Sequence, residues 1–205
     1  DIYEANQNPP VIVDDFHDPK WILDHLTIGL QRSSDEAIVK RPCDLDGIEQ
    51  YLYLSDNTED GQYSIKVMPE LLSGVGIDES LAWDAAQEHL CSYTQIVSLG
   101  KVLSDIMGVP HDESADADIK FHVITNSRKF KGAACIMNRN ALRTFTQKYR
   151  TNMLFVLPSS IHEMMIAPYD SGFNLEDLSA MVKEINETQV SPEERLTDRA
   201  YIITL

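Results

Sequence analysis

The sequence predicts an α+β fold: a mostly antiparallel sheet built from hairpins, with helices packed on one face. Three observations carry this reading. Apolar runs rich in β-branched and aromatic residues come in pairs around turn formers, most clearly at 153–157 and 161–167 around Pro158, Ser159 and Ser160. Asp, Ser and Asn caps precede stretches with apolar residues at helical spacing. In the second half these units follow one another as hairpin, helix, hairpin, helix and strand.

Taken in order, Asn8-Pro9-Pro10 favours extended backbone, and Val11, Ile12 and Val13 suit an added strand. Asp18 and Pro19 start a helix: Asp caps it, and Pro occupies the first helical position, where its missing N–H costs nothing. Ile22, Leu26 and Leu30 extend that helix to about residue 30, although Leu26, Ile28 and Leu30 also alternate as in a strand. Ser34-Asp35-Glu36-Ala37 starts another short helical turn. Residues 48–54 and 62–68 form a hairpin around a long polar loop. Pro69 begins a short helix stopped by Gly74 and Gly76. Asp78 caps a longer one in which Leu81, Ala82, Ala85, Ala86 and His89 or Leu90 recur at helical spacing. Ser98 caps a helix to Met107, with Gly108 as its stop.

Residues 111–118 are the clearest composition shift, between a helix-rich half (1–110) and a strand-rich half (119–205). We read them as a solvated acidic loop or hinge inside a single domain spanning 1–205. Residues 121–126 and 132–137 then pair around a basic turn. Asn138 caps a helix with Leu142, Phe145 and Tyr149 on one face. After the hairpin at 153–168, Asn174 caps a helix carrying Leu175, Leu178, Met181, Val182 and Ile185. Ser191-Pro192-Glu193-Glu194 is a turn start, and 201–205 is the final strand.

Composition narrows the function classes. The 17 Lys and Arg against 33 Asp and Glu give a net charge of −16. That repels phosphate backbones and anionic membranes, and the densest basic stretch is only Arg128-Lys129-Phe130-Lys131, so nucleic acid and membrane partners are not expected. The charge suits a basic protein partner and also keeps the protein soluble. No apolar run reaches the about 20 residues of a membrane helix. Cys43, Cys91 and Cys135 are odd in number and widely spaced, with no C-x-x-C pair; neither zinc nor a disulfide framework is indicated, and a reducing cytoplasm is expected. Cys135 reads as a buried strand thiol. The chain begins at Asp1 rather than Met, and an N-terminally truncated piece of a longer protein is expected.

The candidate binding residues are Ser159, Ser160, His162 and Glu163, the polar groups between two apolar blocks. A serine nucleophile with a histidine base would make a hydrolase. Against that, hydroxyls in a turn commonly bond nearby backbone, neighbours in a strand such as His162 and Glu163 face opposite ways, and no G-x-S-x-G is present. No catalytic residue is therefore assigned. Asp112, Glu113, Asp116 and Asp118 lack the mid-loop glycine and terminal glutamate of a calcium loop. The six histidines form no H-x-x-x-H pair, Gly74-Val75-Gly76 lacks the third glycine of a dinucleotide fingerprint, and Trp21 and Trp83 read as core anchors. No metal or cofactor is expected.

Three blocks carry a family resemblance. One is Tyr63-Ser64-Ile65 with Leu71-Leu72, Gly76-Ile77 and Glu79-Ser80-Leu81. The most recognisable is Phe155-Val156-Leu157-Pro158-Ser159-Ser160-Ile161-His162-Glu163 followed by Pro168. The third joins Met181-Val182, Asn186-Glu187-Thr188 and residues 190–201. With these the chain resembles an uncharacterised bacterial family, domain of unknown function 5688, common in gut Firmicutes. The resemblance implies extra helical sequence before the point where this chain begins, and it implies no reaction, ligand or catalytic residue. A more distant similarity, to another uncharacterised bacterial family, rests on element order at the C-terminal end.

The preferred reading is a cytoplasmic, non-enzymatic protein-interaction module that uses an acidic helix face or a sheet edge. The alternatives are a hydrolase or transferase centred on residues 158–163, and a small-ligand sensor with a closed apolar cavity under the sheet.

Overall fold

The computed structural model describes residues 15–58, 61–112, 114, 120–169 and 172–205. The fold is α+β with antiparallel strands, and the strands divide between two sheets. The stretch from Val11 to Val13 and most of the acidic loop lie outside the described residues.

In the first sheet, β3 (Ile48–Thr58) is the long central strand. β1 (Leu26–Arg32) pairs along one side of it, from Leu26 opposite Leu54 to Arg32 opposite Ile48. β2 (Lys40–Pro42) and β4 (Gly61–Lys66) share the other side end to end, joined where the Val39 N–H donates to the Val67 carbonyl, the Val67 N–H to the Leu52 carbonyl and the Leu52 N–H to the Val39 carbonyl. The pleat sorts this sheet into two faces. Leu26, Ile28, Leu30, Ile48, Leu52 and Leu54 enter the main core. Thr27, Gly29, Tyr51, Tyr53 and Ser55 line the other face. Gly29 is required there: a Cβ would lie 2.6 Å from the Tyr51 ring, so Tyr51 crosses the neighbouring strand only because that position has no side chain.

The second sheet runs β5-β6-β8-β7-β9, with β5 Thr94–Ser98, β6 His122–Asn126, β7 Met153–Leu157, β8 Met164–Pro168 and β9 Tyr201–Thr204. Leu154, Val156, Met164 and Ile166 face the main core, whereas Phe155, Leu157 and Ala167 pack under Leu178 and Val182 of the last helix, Leu175–Gln189.

Capping follows the sequence closely. Asp18 caps α1 (Pro19–His25), Asp78 caps α3 (Glu79–Tyr93), Ser98 caps α4 (Leu99–Met107), Asn138 caps α5 (Arg139–Gln147) and Asn174 caps α6 (Leu175–Gln189), each through a side-chain oxygen accepting a backbone N–H. The short α2 (Pro69–Gly74) has no such side-chain cap. α4 stops at Gly108, with φ 66.

Five expectations are corrected. The long polar loop expected between 54 and 62 is mostly strand: β3 runs on to Thr58 and β4 starts at Gly61. The first helix ends at His25, and Leu26, Ile28 and Leu30 are strand residues, because pairing with β3 outweighs the helical spacing. Ser34 to Ala37 is not helical: the Ser34 N–H and hydroxyl are drawn to Glu49 instead. Gly132–Met137 is a buried 3-10 helix, so 121–137 is not a hairpin and Cys135 is not in a strand. The strand after Ser160 begins at Met164, not Ile161, which puts His162 and Glu163 in the connecting loop. β5 is an element the sequence reading lacked. Among the described residues, no helix is long and apolar enough to cross a membrane.

Candidate functional site

The loop joining β7 to β8 uses its polar groups on itself and its neighbours. The Ser159 hydroxyl donates to the Glu163 carbonyl (3.1 Å), and the Ser160 hydroxyl accepts the His162 N–H (3.0 Å). The His162 ring turns away from both serines. Its Nδ1 accepts the Lys131 backbone N–H (3.1 Å), so the ring proton of the neutral form sits on Nε2, which faces Glu194 Oε1 at 3.3 Å. Glu163 is exposed. The four residues are therefore gathered by backbone bonds, and neither hydroxyl is hydrogen-bonded to the histidine ring, the contact that would activate a serine.

This loop braces a second one. The Ile161 carbonyl accepts from Ala133 N–H, the His162 carbonyl accepts from the Thr125 hydroxyl (2.9 Å), and Gly132 fits in the gap between them. A Cβ on Gly132 would lie 2.3 Å from Thr125 Oγ1, 2.6 Å from the Asn126 nitrogen and 2.8 Å from the His162 oxygen, and two of those three atoms are backbone. The braced segment, 126–131, is bent by Asn126, whose amide bonds both the Phe130 carbonyl (2.8 Å) and the Phe130 N–H (3.3 Å). Lys129 and Lys131 take left-handed φ values of 53 and 51, which costs energy in a residue with a Cβ and persists because the loop is held from both sides.

The basic turn leans over a cavity of about 140 Å³ where the two sheets meet. One wall is the polar face of the first sheet: Thr27, Tyr53 and Ser55. A second is the ends of α1 and α3, with Asp24, His25, His89 and Tyr93. Arg128, Phe130 and Lys131 make the third, and Ala134 and Cys135 line the cavity from the 3-10 helix. Asp24, Tyr93 and Arg128 are solvent-exposed and stand at its rim.

The polar groups are set by their surroundings. His25 and His89 each direct Nδ1 at a backbone carbonyl, of Trp21 and Leu26, both at 2.8 Å. A carbonyl only accepts, so Nδ1 carries the proton and Nε2 of each neutral ring is an acceptor. Trp21 stacks on the His25 ring at 4.0 Å and fixes its plane. The Lys131 ammonium lies 4.6 Å from the Tyr53 ring centre and 5.5 Å from those of Tyr51 and Phe130, a cation–π arrangement. Burial, with the nearby Lys66 charge, lowers the Lys131 pKa. Burial likewise pushes the Tyr53 phenol far up, reinforced by Tyr51 and opposed by Arg128. Burial raises the Cys135 thiol to about 11, against a hydrogen bond from Thr94, so it stays protonated and is a poor nucleophile. Among the described residues, no group of three His, Cys, Asp or Glu is placed to hold a metal.

Tyr53, His25, His89, Arg128 and Lys131 were not among the candidate residues read from the sequence. They come from separate elements and show no motif. The one sequence signal was the basic turn Arg128–Lys131 itself, conspicuous in so acidic a chain.

A family model for proteins of unknown function, DUF5688, matches residues 44–203. No curated protein and no solved structure matches the chain. The matched span runs from just before β3 to β9 and takes in the β7–β8 loop, the basic turn and every wall of the cavity except the α1 end, Thr27 and Ile28. On that match, the chain belongs to DUF5688, a family of unknown function.

Proposed function

We propose that this domain is a non-enzymatic binding module that holds a small molecule in the cavity between its sheets. The observation that carries the reading is Tyr53. It is 2% exposed, it lines the cavity, and its hydroxyl has no hydrogen-bond partner among the described residues. The ring is buried but the hydroxyl is not sealed off from the cavity, so a polar group of a ligand there can take the place of water on it. The β7–β8 residues Ser159, Ser160, His162 and Glu163 act in this reading as the brace of the binding loop. The test is an amide chemical-shift survey of the 205-residue chain mixed with the low-molecular-weight fraction of a cell extract. Shifts at residues 27, 55 and 131 are expected, and their loss in Thr27→Phe. A survey that leaves all three unmoved overturns the reading.

A second reading rests on α4. None of its residues is buried, and Leu103, Ile106, Met107 and the following Val109 are 47%, 76%, 67% and 48% exposed. Next to it, β5 is the edge strand of the second sheet. Apolar side chains gathered on one exposed helix suit a protein contact. With a net charge of −16 on the chain, the occupant that fits is a basic amphipathic segment of another protein. Ile106→Asp with Met107→Asp should leave thermal stability unchanged and abolish recovery of a basic partner in pull-down. Recovery that survives the double substitution removes this reading.

A further inference from the structure

The two cations at the cavity lack acidic partners. Among the described residues, Arg128 and Lys131 form no ion pair, although the chain carries 33 carboxylates. Arg128 lies over the Tyr93 ring at 5.2 Å, and Lys131 over Tyr53. Their side is thus rich in hydrogen-bond donors and positive charge, with the Tyr53 hydroxyl added.

The facing side has the opposite character. Asp24 is an acceptor, and the His25 and His89 rings each offer an Nε2 lone pair with no hydrogen-bond partner among the described residues. His89 and Tyr93 also belong to the last turns of α3, a 15-residue helix whose C-terminal carbonyls favour positive charge. Donors and cations come from one loop, and acceptors come from two helix ends.

Resting on the proposed cavity site, we infer that its ligand is a small zwitterion of α-amino-acid size, with its carboxylate on Arg128, Lys131 and the Tyr53 hydroxyl and its ammonium toward His25, His89 and Asp24. Size supports the class. An engineered cavity of about 150 Å³ accommodates benzene, so a space of this order takes a molecule of few non-hydrogen atoms. A nucleotide or a peptide is too large to be enclosed. A simple anion would leave the acceptor wall unpaired, and a simple amine would leave Arg128 and Lys131 unpaired.

The experiment titrates the 205-residue chain at pH 7 with glycine, L-serine and L-aspartate, with acetate and lactate as anions lacking the ammonium, and with ethanolamine as an amine lacking the carboxylate. Amide shifts of residues 27, 55 and 131 report binding, and the whole amide spectrum reports folding. At least one amino acid should bind tenfold or more tightly than acetate, lactate and ethanolamine. Arg128→Ala and Lys131→Met should each weaken it at least tenfold, and Tyr53→Phe by a smaller factor with the fold retained. An anion or an amine that binds as tightly as the amino acids overturns the class, and so does binding indifferent to Arg128→Ala and Lys131→Met. If no compound in the panel binds but the extract fraction still moves the same amides, the zwitterion falls and the cavity reading stands. If neither does, both fall.

Discussion

Glu49 sits only 8% exposed on the second face of β3, and one of its oxygens takes hydrogen bonds from the Gln31 amide (2.8 Å), the Ser34 hydroxyl (2.9 Å), the Ser34 N–H (3.2 Å) and the Lys40 ammonium (3.3 Å). Burial alone would raise its pKa, but the bonds from Gln31, Ser34 and Lys40 outweigh burial and hold the carboxyl below its usual range. A depressed folded-state pKa means the native chain binds fewer protons than the unfolded one, so this contribution is complete above the unfolded value of about 4.3 and fades as pH falls through the folded value. Glu49→Gln should therefore cost about 1–3 kcal/mol at pH 7, the range for hydrogen bonds to a charged group. The gap between the two proteins should close in acid. Urea denaturation at pH 7 and below pH 4 checks both statements, and a pH-independent gap would refute them. None of this was legible in the sequence, because the partners stand 9 to 18 residues away along the chain. The caps at Asp18, Asp78, Ser98, Asn138 and Asn174 were legible because each acts two or three residues from itself. Tyr53, His89 and Lys131 share the difficulty of Glu49: their roles depend on neighbours that only the fold supplies.

Among the elements, the misread ones are those whose identity is settled from a distance. Leu26, Ile28 and Leu30 satisfy both a helix and a strand pattern, and β3 decides between them. Gly132–Met137 is buried at its first five positions, and a short run that is apolar all round carries no period to separate a buried helical turn from a central strand. β7 was read with its observed bounds, because a strand inside a sheet is apolar throughout and stands out between polar neighbours. Caps offer a quantitative test at this scale. Asn138 and Asn174 make the same kind of bond, at 3.1 and 2.8 Å, but Asn138 is 6% exposed and Asn174 is open to solvent. Water can replace the lost acceptor at an exposed helix end and not at a buried one. Asn138→Ala should cost about 1–2 kcal/mol and Asn174→Ala less, within the usual span for caps. Equal losses of thermal stability in the two variants would show that burial does not matter here.

The described residues of the two halves are interlocked in a way that composition conceals. Sequence divides the chain at 111–118 into a helix-rich and a strand-rich half, yet β5, from the first half, pairs along its length with β6 from the second, Thr94 opposite Asn126 through Ser98 opposite His122. The main core does the same with side chains: Leu26, Leu52 and Trp83 belong to one cluster with Ile136, Leu142, Val156 and Ile203. Arg139 of α5 reaches back to Asp44, and Tyr201 and Arg199 reach back to Asp46, tying α5 and the last strand to the segment just before β3. The cavity has walls from both halves, so its shape exists only while they stay together. An acidic loop that merely linked two independent units would let one melt before the other. A shared core and a shared sheet make the halves lose their apolar burial together, which is the condition for an all-or-none transition. The chain should therefore unfold in one step, with far-ultraviolet and near-ultraviolet circular dichroism following the same curve and calorimetric and van't Hoff enthalpies agreeing. Residues 119–205 expressed alone would leave Val123, Ile124 and Ala133–Ile136 without β5 and the first sheet, and should give no dispersed amide spectrum. Two resolved transitions, or a folded 119–205 fragment, would mean that the acidic loop is a true boundary and that the cavity between the sheets opens as the two units part.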